Sequence, residues 1–230
     1  VLKVVLFDAG ETLIRLRGSV GEVYAAAALR YGVRTSVAEL NERFRVVFAQ
    51  APPLCFPDAR AGEILACEQG WWRRIVKQVF ADEPFADFEA FFAELFAYFA
   101  QSANWEVFGD VEPTLQNLRS RGLRLGVVSN FDARLFAIFD GLNLTRYFDT
   151  IVVSGRAGAA KPDPRIFRIA LERLRVTAAE ALHVGDSERE DRQGALAAGL
   201  RALRIDRGKP REAPEVIGSL ADLVDRLSSI

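Results

Sequence analysis

Five residues carry the chemistry this chain offers: Asp8, Ser129, Lys161, Asp186 and Asp191. Asp8 follows the apolar run VLKVVLF, Ser129 ends LRLGVVS with Asn130 next, Lys161 lies in AAKPDP, and Asp186 follows ALHVG with Asp191 five residues on. A carboxylate at the end of such a run is a candidate nucleophile: it attacks an electrophilic carbon or phosphorus and forms an ester that water later removes. At phosphorus both partners are anionic, so the attack needs positive charge. Lys161 would supply a fixed cation and restrain Asp8, and a Mg²⁺ ion held by Asp8 and Asp186 would keep several of its waters. Ser129 and the N–H groups of its loop would hold the oxygens of the transferring group. Taken singly, each residue also has an ordinary reading. Asp8 and Asp186 could cap helices, Ser129 could begin a turn, and Lys161 could be a solvated loop residue.

The set meets in space only if the runs before it are parallel strands. Val1 to Phe7, Leu123 to Ser129 and Ala181 to Gly185 read as strands, with Thr150 to Ser154 and Leu200 to Ile205 as a fourth and fifth. Helical patterns lie between them: Pro113 to Arg121 ending at Gly122, Pro164 to Leu174, and Arg192 to Ala198 ending at Gly199. This alternation predicts an α/β fold whose parallel sheet is covered on both faces, with ligands beyond the carboxyl ends of the strands.

The stretch from Arg15 to Asn104 breaks the alternation, with helical periodicity at Val20 to Tyr31, Val37 to Ala49 and Phe85 to Phe99 and no convincing strand. In the last of these, Phe88, Phe91, Phe92, Leu95, Phe96 and Phe99 form an apolar stripe that reads as the packed face of a small helical bundle. Trp71 and Trp72 read as packing, although one at a cleft edge could also meet substrate. The predicted layout is a core of residues 1–14 and 105–230, interrupted after its first strand by a helical insert, residues 15–104, that acts as a water-excluding cap.

Composition narrows the classes. Half of the 230 residues are apolar, the net charge is −1 and no long like-charged block occurs, which removes the electrostatic case for nucleic acid or an anionic membrane. Cys55 and Cys67 form no CxxC or Cys/His cluster and read as free thiols, and one histidine cannot complete an ordinary zinc site. No basic leader or apolar run of ~20 residues stands in the sequence, which predicts a soluble, cytoplasmic protein. His183, inside a strand, reads as a buried structural residue. Only four lysines occur: Lys3, Lys77, Lys161 and Lys209.

The ordered motifs FDAGETL, VVSNFD, KPDPRIF and HVGDSEREDRQGA resemble those of the haloacid dehalogenase superfamily, with a helical cap inserted directly after the first motif. The resemblance spans essentially the whole chain. It implies a Rossmann-like core, an aspartyl-enzyme intermediate on Asp8, and Mg²⁺ held by Asp8, Asp186 and the Gly10 carbonyl. Asp191 matches the second acidic position of the last motif, which supports metal-bound water, and Glu190 beside it is the weaker stand-in. Thr12, Ser129, Asn130 and Lys161 would meet the substrate, a small phosphorylated molecule, with Thr12 also orienting the loop of Asp8. Asn130 and Asp132 could equally shape the turn, and Arg15 and Arg17 could be hinge residues or meet an anionic substrate.

One position departs from the phosphatase pattern DxDGT, whose second aspartate protonates the leaving oxygen. Here the residues are Asp8, Ala9, Gly10, Glu11 and Thr12. The default is a phosphatase, with good leaving groups or with Glu11 or a cap residue as the acid. A 2-haloacid dehalogenase needs no acid but works without metal. A phosphonatase would need a cap lysine, and Lys77 is the only one in the insert. A relative that binds a metal, a phosphometabolite or a partner without catalysis is the fourth reading.

Overall fold

The computed structural model describes residues 1–81, 83–208 and 213–227, so Lys209 and the last three residues of the expected core lie outside the described residues. In chain order, β1 (Val4–Phe7) and β2 (Ile14–Leu16) precede four helices, α1 (Val20–Arg30), α2 (Val37–Gln50), α3 (Ile64–Val79) and α4 (Phe88–Tyr98). β3 (Trp105–Val107) then leads into α5 (Val111–Ser120), β4 (Arg124–Ser129), α6 (Arg134–Gly141), β5 (Thr150–Val153), α7 (Ser154–Ala157) and α8 (Pro164–Leu174). The chain closes with β6 (Ala181–Gly185), a π-helical turn over Glu188–Gln193, α9 (Gly194–Ala197), β7 (Arg201–Ile205), β8 (Val216–Ile217) and α10 (Ala221–Leu227).

Six strands pair in the order β5-β4-β1-β6-β7-β8, every pair parallel. The α/β, Rossmann-like architecture expected from the motifs is therefore the one observed. The side-chain period of two makes β1 serve both layers: Val5 and Phe7 pack with Leu115, Ile138 and Phe139 of α5 and α6, while Val4 and Leu6 pack with Ile166, Phe167 and Ala170 of α8. All four β1 residues are fully buried, which is why VVLF reads as a continuous apolar run rather than an alternating one. The chain winds outward from β1 to β5 and then returns to β6 on the other side of β1. That reversal opens a crevice above the carboxyl ends of β4, β1 and β6, where Ser129, Asp8 and Asp186 follow their strands.

The helices α1 to α4 pack around their own apolar cluster, in which Tyr24, Leu40, Trp71, Ile75, Phe91 and Leu95 are buried. The expected stripe of Phe85 to Phe99 divides, with Phe91, Phe92 and Leu95 buried and Phe88, Phe96 and Phe99 partly so. Ser19 starts the layer with a capping box: its hydroxyl accepts from the Glu22 N–H, and the Glu22 carboxylate accepts from the Ser19 N–H.

The expectation of no strand between Arg15 and Asn104 is corrected at its edge. β2 includes Arg15 and Leu16 and pairs antiparallel with β3, Ile14 opposite Val107 and Leu16 opposite Trp105. Three residues a side carry too little alternation to show in sequence. This ribbon is the double crossing between sheet and helices. Arg15 and Arg17, both more than half exposed, pair there with Glu106, which favours the hinge reading over contact with an anionic substrate. Three more differences are small: α5 begins two residues before Pro113, which a first turn tolerates, β8 extends the sheet, and a π-helical turn precedes α9. Among the described residues no helix is long and apolar enough to cross a membrane. Cys55 and Cys67 are free.

Candidate active site

The crevice brings together the five residues singled out by type and spacing. The Lys161 ammonium donates to Asp8 Oδ1 at 2.6 Å and to Asp191 Oδ1 at 2.5 Å, with the lysine side chain only 2 % exposed. The Ser129 hydroxyl hydrogen-bonds the Asp8 carboxylate, and the Asp8 N–H donates to the Val184 carbonyl at 2.9 Å. Asp8 is thus fixed by its own backbone and by two side chains, Ser129 at the end of β4 and Lys161 in the loop between α7 and α8. Burial pushes its carboxyl up, with Lys161 pulling the other way.

Asp191 reaches this point because the π-helical turn swings it back over the end of β6. Its Oδ2 accepts from the Ser187 N–H at 3.0 Å, and His183 Nε2 lies 2.8 Å from its Oδ1. A Cβ on Gly185 would fall 2.1 Å from the Asp191 carboxyl carbon, so the approach requires glycine there. Burial opposes ionisation of Asp191, but Lys161 and His183 together outweigh it and hold the carboxyl below its ordinary range. His183 is fully buried, as expected of a structural residue, with its ring edge-on to Phe167.

Asp186, Asp8 and Asp191 each present a carboxylate oxygen within 4.8 Å of the others. Three carboxylates face a single ammonium, an excess of negative charge that a small hard cation with oxygen ligands would neutralise. Asp8 and Asp186 retain oxygens for that purpose, whereas both oxygens of Asp191 are already engaged, so this donor set fits Mg²⁺ with Asp191 standing behind it. Asp186 is pushed up to about 7, by burial first and then by Asp8 and Asp191.

That shift has a thermodynamic consequence in metal-free protein. A carboxyl whose folded pKa exceeds its unfolded value contributes nothing well below pH 4 and destabilises the fold increasingly as pH rises to 7. Asp186→Asn should therefore be as stable as the wild type at pH 4 and more stable at pH 8, by about 1–2 kcal/mol after solvent screening. Denaturant unfolding in the presence of chelator reads the difference. A variant less stable at pH 8 would refute the repulsion.

The remaining predicted residues separate by place. Asn130 bridges rather than merely turning: its amide accepts from the Lys161 N–H at 2.8 Å and donates to the Lys161 carbonyl and to Glu190. Gly10 lies on the wall of the Asp8 pocket, a cavity of about 240 Å³ that also includes Ser129, Lys161, Asp186 and Glu190. Thr12, expected to meet substrate, is instead fully buried beneath the loop, where its carbonyl accepts from Arg207. Lys77 is exposed and lines neither this pocket nor its neighbour, so the phosphonatase reading lacks its lysine.

Two residues without any sequence signal join the helices to the site. Glu68 of α3 is fully buried and accepts from the Ala133 N–H, and Arg134 grips Asp132 while lying over the rings of Phe96 and Trp72. The Trp72 indole also donates to Asp132 at 2.6 Å, so the packing tryptophan does orient toward the site. Asp132 is therefore a junction between α3, α4 and the β4 loop.

A family model described as haloacid dehalogenase-like hydrolase matches residues 2–199. The chain belongs to this family. Haloacid dehalogenase-like hydrolase domain-containing protein 3 of Bos taurus is 36% identical over 212 residues, covering 91% of this chain and 84% of the relative. A phosphoserine phosphatase of Thermus thermophilus is 30% identical over 235 residues, covering 93% and 92%. Among solved structures, a 2-haloacid dehalogenase of Pseudomonas syringae pv. Tomato superimposes with a TM-score of 0.66 at 26% identity, covering 100% of this chain and 99% of that one. The haloacid dehalogenase-like chain thus has similar relatives named for cleavage at phosphorus and at carbon.

Proposed function

We propose that this hydrolase is a Mg²⁺-dependent phosphatase acting on a small phosphorylated molecule through an aspartyl-enzyme intermediate on Asp8. The observation that carries the reading is Asp8 itself, buried, held by Lys161 and Ser129, and within 4.8 Å of the Asp186 and Asp191 carboxylates. Asp8 attacks phosphorus. Lys161 keeps the nucleophile oriented and offsets the charge of the incoming phosphoryl group, and the Ser129 hydroxyl is placed to meet one of its oxygens. Asn130 and Asp191 are positioning residues for Lys161. When bound, Mg²⁺ supplies the remaining positive charge, with Asp8, Asp186 and the Gly10 carbonyl as its holders. The helices of residues 15–104 act as the cap over residues 1–14 and 105–230, closing through the β2–β3 ribbon.

The test is phosphate release from a panel of phosphomonoesters by the wild type and Asp8→Asn, with Mg²⁺ and with chelator. Release that needs Mg²⁺ and is lost in Asp8→Asn is the expected result. The open position at Gly10 also favours a second reading, carbon–halogen hydrolysis, because a halide leaves without a proton. Chloride release from 2-chloropropionate in chelator, with no phosphate release from any ester, would select it. Silence in both assays would leave a binding protein on a hydrolase scaffold.

A further inference from the structure

Beside the Asp8 pocket lies a second cavity of about 310 Å³, and the two share Gly10, Phe48, Trp72, Asn130 and Phe131 as a common wall. Its lining is mostly aromatic, with Tyr24, Phe44, Phe96 and Phe99 contributed by the helices. Its one cation, Arg134, is already neutralised by Asp132 and lies flat over Phe96, so the chamber offers no free positive charge to an anionic or sugar-like group. Glu11 on the rim would repel an anionic substituent carried on the leaving group. The volume is at the low end of the ~300–1,000 Å³ range of small-molecule sites.

The chamber opens at Gly10, where a Cβ would meet nothing within 4 Å. At this position the site has an empty space instead of a proton donor. A leaving group seated here receives no proton from residue 10, which favours one that departs as a stable anion. Phenols, with pKa near 10 as in tyrosine, do so far more readily than alkyl alcohols. We propose that the chamber seats the leaving group and that the substrate is the phosphate monoester of an apolar, aromatic alcohol. This rests on the phosphatase reading above and narrows it to a substrate class.

The steps balance without a further reactant. Asp8 forms a bond to phosphorus as the P–O bond to the ring oxygen breaks, and that oxygen leaves with the electron pair as a phenolate, its charge at the Lys161 side of the shared wall and only its ring in the chamber. Water then attacks phosphorus, the bond to Asp8 breaks, and the two protons of the water end on the phenol and the phosphate or its buffer. The products are a phenol and inorganic phosphate.

The experiment compares kcat/KM for 2-naphthyl phosphate, phenyl phosphate and phosphoserine with Mg²⁺. Naphthol and phenol are similar acids, so their ratio reads the chamber rather than leaving-group chemistry. The expected ratio is tenfold or more in favour of naphthyl, carried mainly by KM, with phosphoserine lower still. Val20→Trp, which fills the chamber from the first turn of α1, should bring the ratio near one, and Phe48→Ser, at a partly exposed wall, should lower it several-fold. Phosphoserine hydrolysed as well as the naphthyl ester, or a ratio unmoved in both variants, would overturn the substrate class while leaving the phosphatase reading intact. No phosphate from any ester would overturn both.

Discussion

Gly10→Asp should raise kcat/KM for alkyl phosphates such as phosphoserine by about 10²–10⁴-fold and change that for aryl phosphates little. A positioned general acid is worth ~10²–10⁴ in rate, or roughly 3–5 kcal/mol of barrier, when the leaving oxygen needs its proton. The local structure admits a Cβ without a clash, since no atom lies within 4 Å of one on residue 10 and its backbone is not left-handed. The new carboxyl would stand where the Asp8 pocket meets the aromatic chamber, between nucleophile and leaving group. Gly10→Ala is the control: it narrows the same space without an acid and should give no gain. Rates unchanged in Gly10→Asp would mean that another group already donates the proton. Glu11 would then be first in line, because it lines the chamber, it adjoins Gly10, and burial pushes its carboxyl up against the pull of Arg15 and Arg207. Its backbone is left-handed, with φ of 53°, a conformation that turns the residue after Gly10 away from the strand direction.

The parts of this fold that the sequence announces are those where burial dictates residue type. β1, β4 and β6 are apolar on both faces because both faces are covered, and each ends in a residue that packing does not need. Asp8, Ser129 and Asp186 could therefore be collected from their places after strands, with Lys161 and Asp191 added from the segments that follow β5 and β6. Three kinds of feature escape that logic. The β2–β3 ribbon is too short for a periodic signal. The π-helical turn brings Asp191 to Lys161, thirty residues earlier in the chain, as well as to His183 and the Ser187 N–H, a combination that no local propensity encodes. Arg134 and Glu68 are ordinary helix or loop residues by sequence and acquire meaning only where the helices meet the β4 loop. Thr12 shows the converse, since its neighbours in the motif line the pocket while it turns into the core. His183 combines the two, being buried as its strand position predicts yet bonded to a charged residue of the site.

The same geometry makes Lys161 a structural element as well as a chemical one, and Lys161→Met should cost about 3–5 kcal/mol of stability at pH 7.5 in metal-free protein, along with the activity. Removing one member of a buried ionic set leaves the others charged and unpaired. Here Asp8 loses its cation and Asp191 loses the larger of the two groups that hold it ionised. The pH dependence follows from direction. In the wild type the carboxyl of Asp191 is held low, so its contribution is fully present above the unfolded value of ~3.9 and is lost only as pH falls through the folded one. In the variant, burial is opposed at Asp8 only by the Ser129 hydroxyl and at Asp191 chiefly by His183, their pKa values rise, and protonation relieves the damage as pH drops. The gap between the two proteins should be widest near neutrality and narrow toward pH 4.5. A second substitution, Lys161→Met with Asp8→Asn, removes one of the stranded charges and should recover part of the loss at pH 7.5, about 1–2 kcal/mol, with no recovery of turnover. Urea unfolding of the three proteins at the two pH values separates the causes: a pH-independent deficit that the double substitution leaves untouched would assign the loss to packing around the lysine stem rather than to the charges it joins.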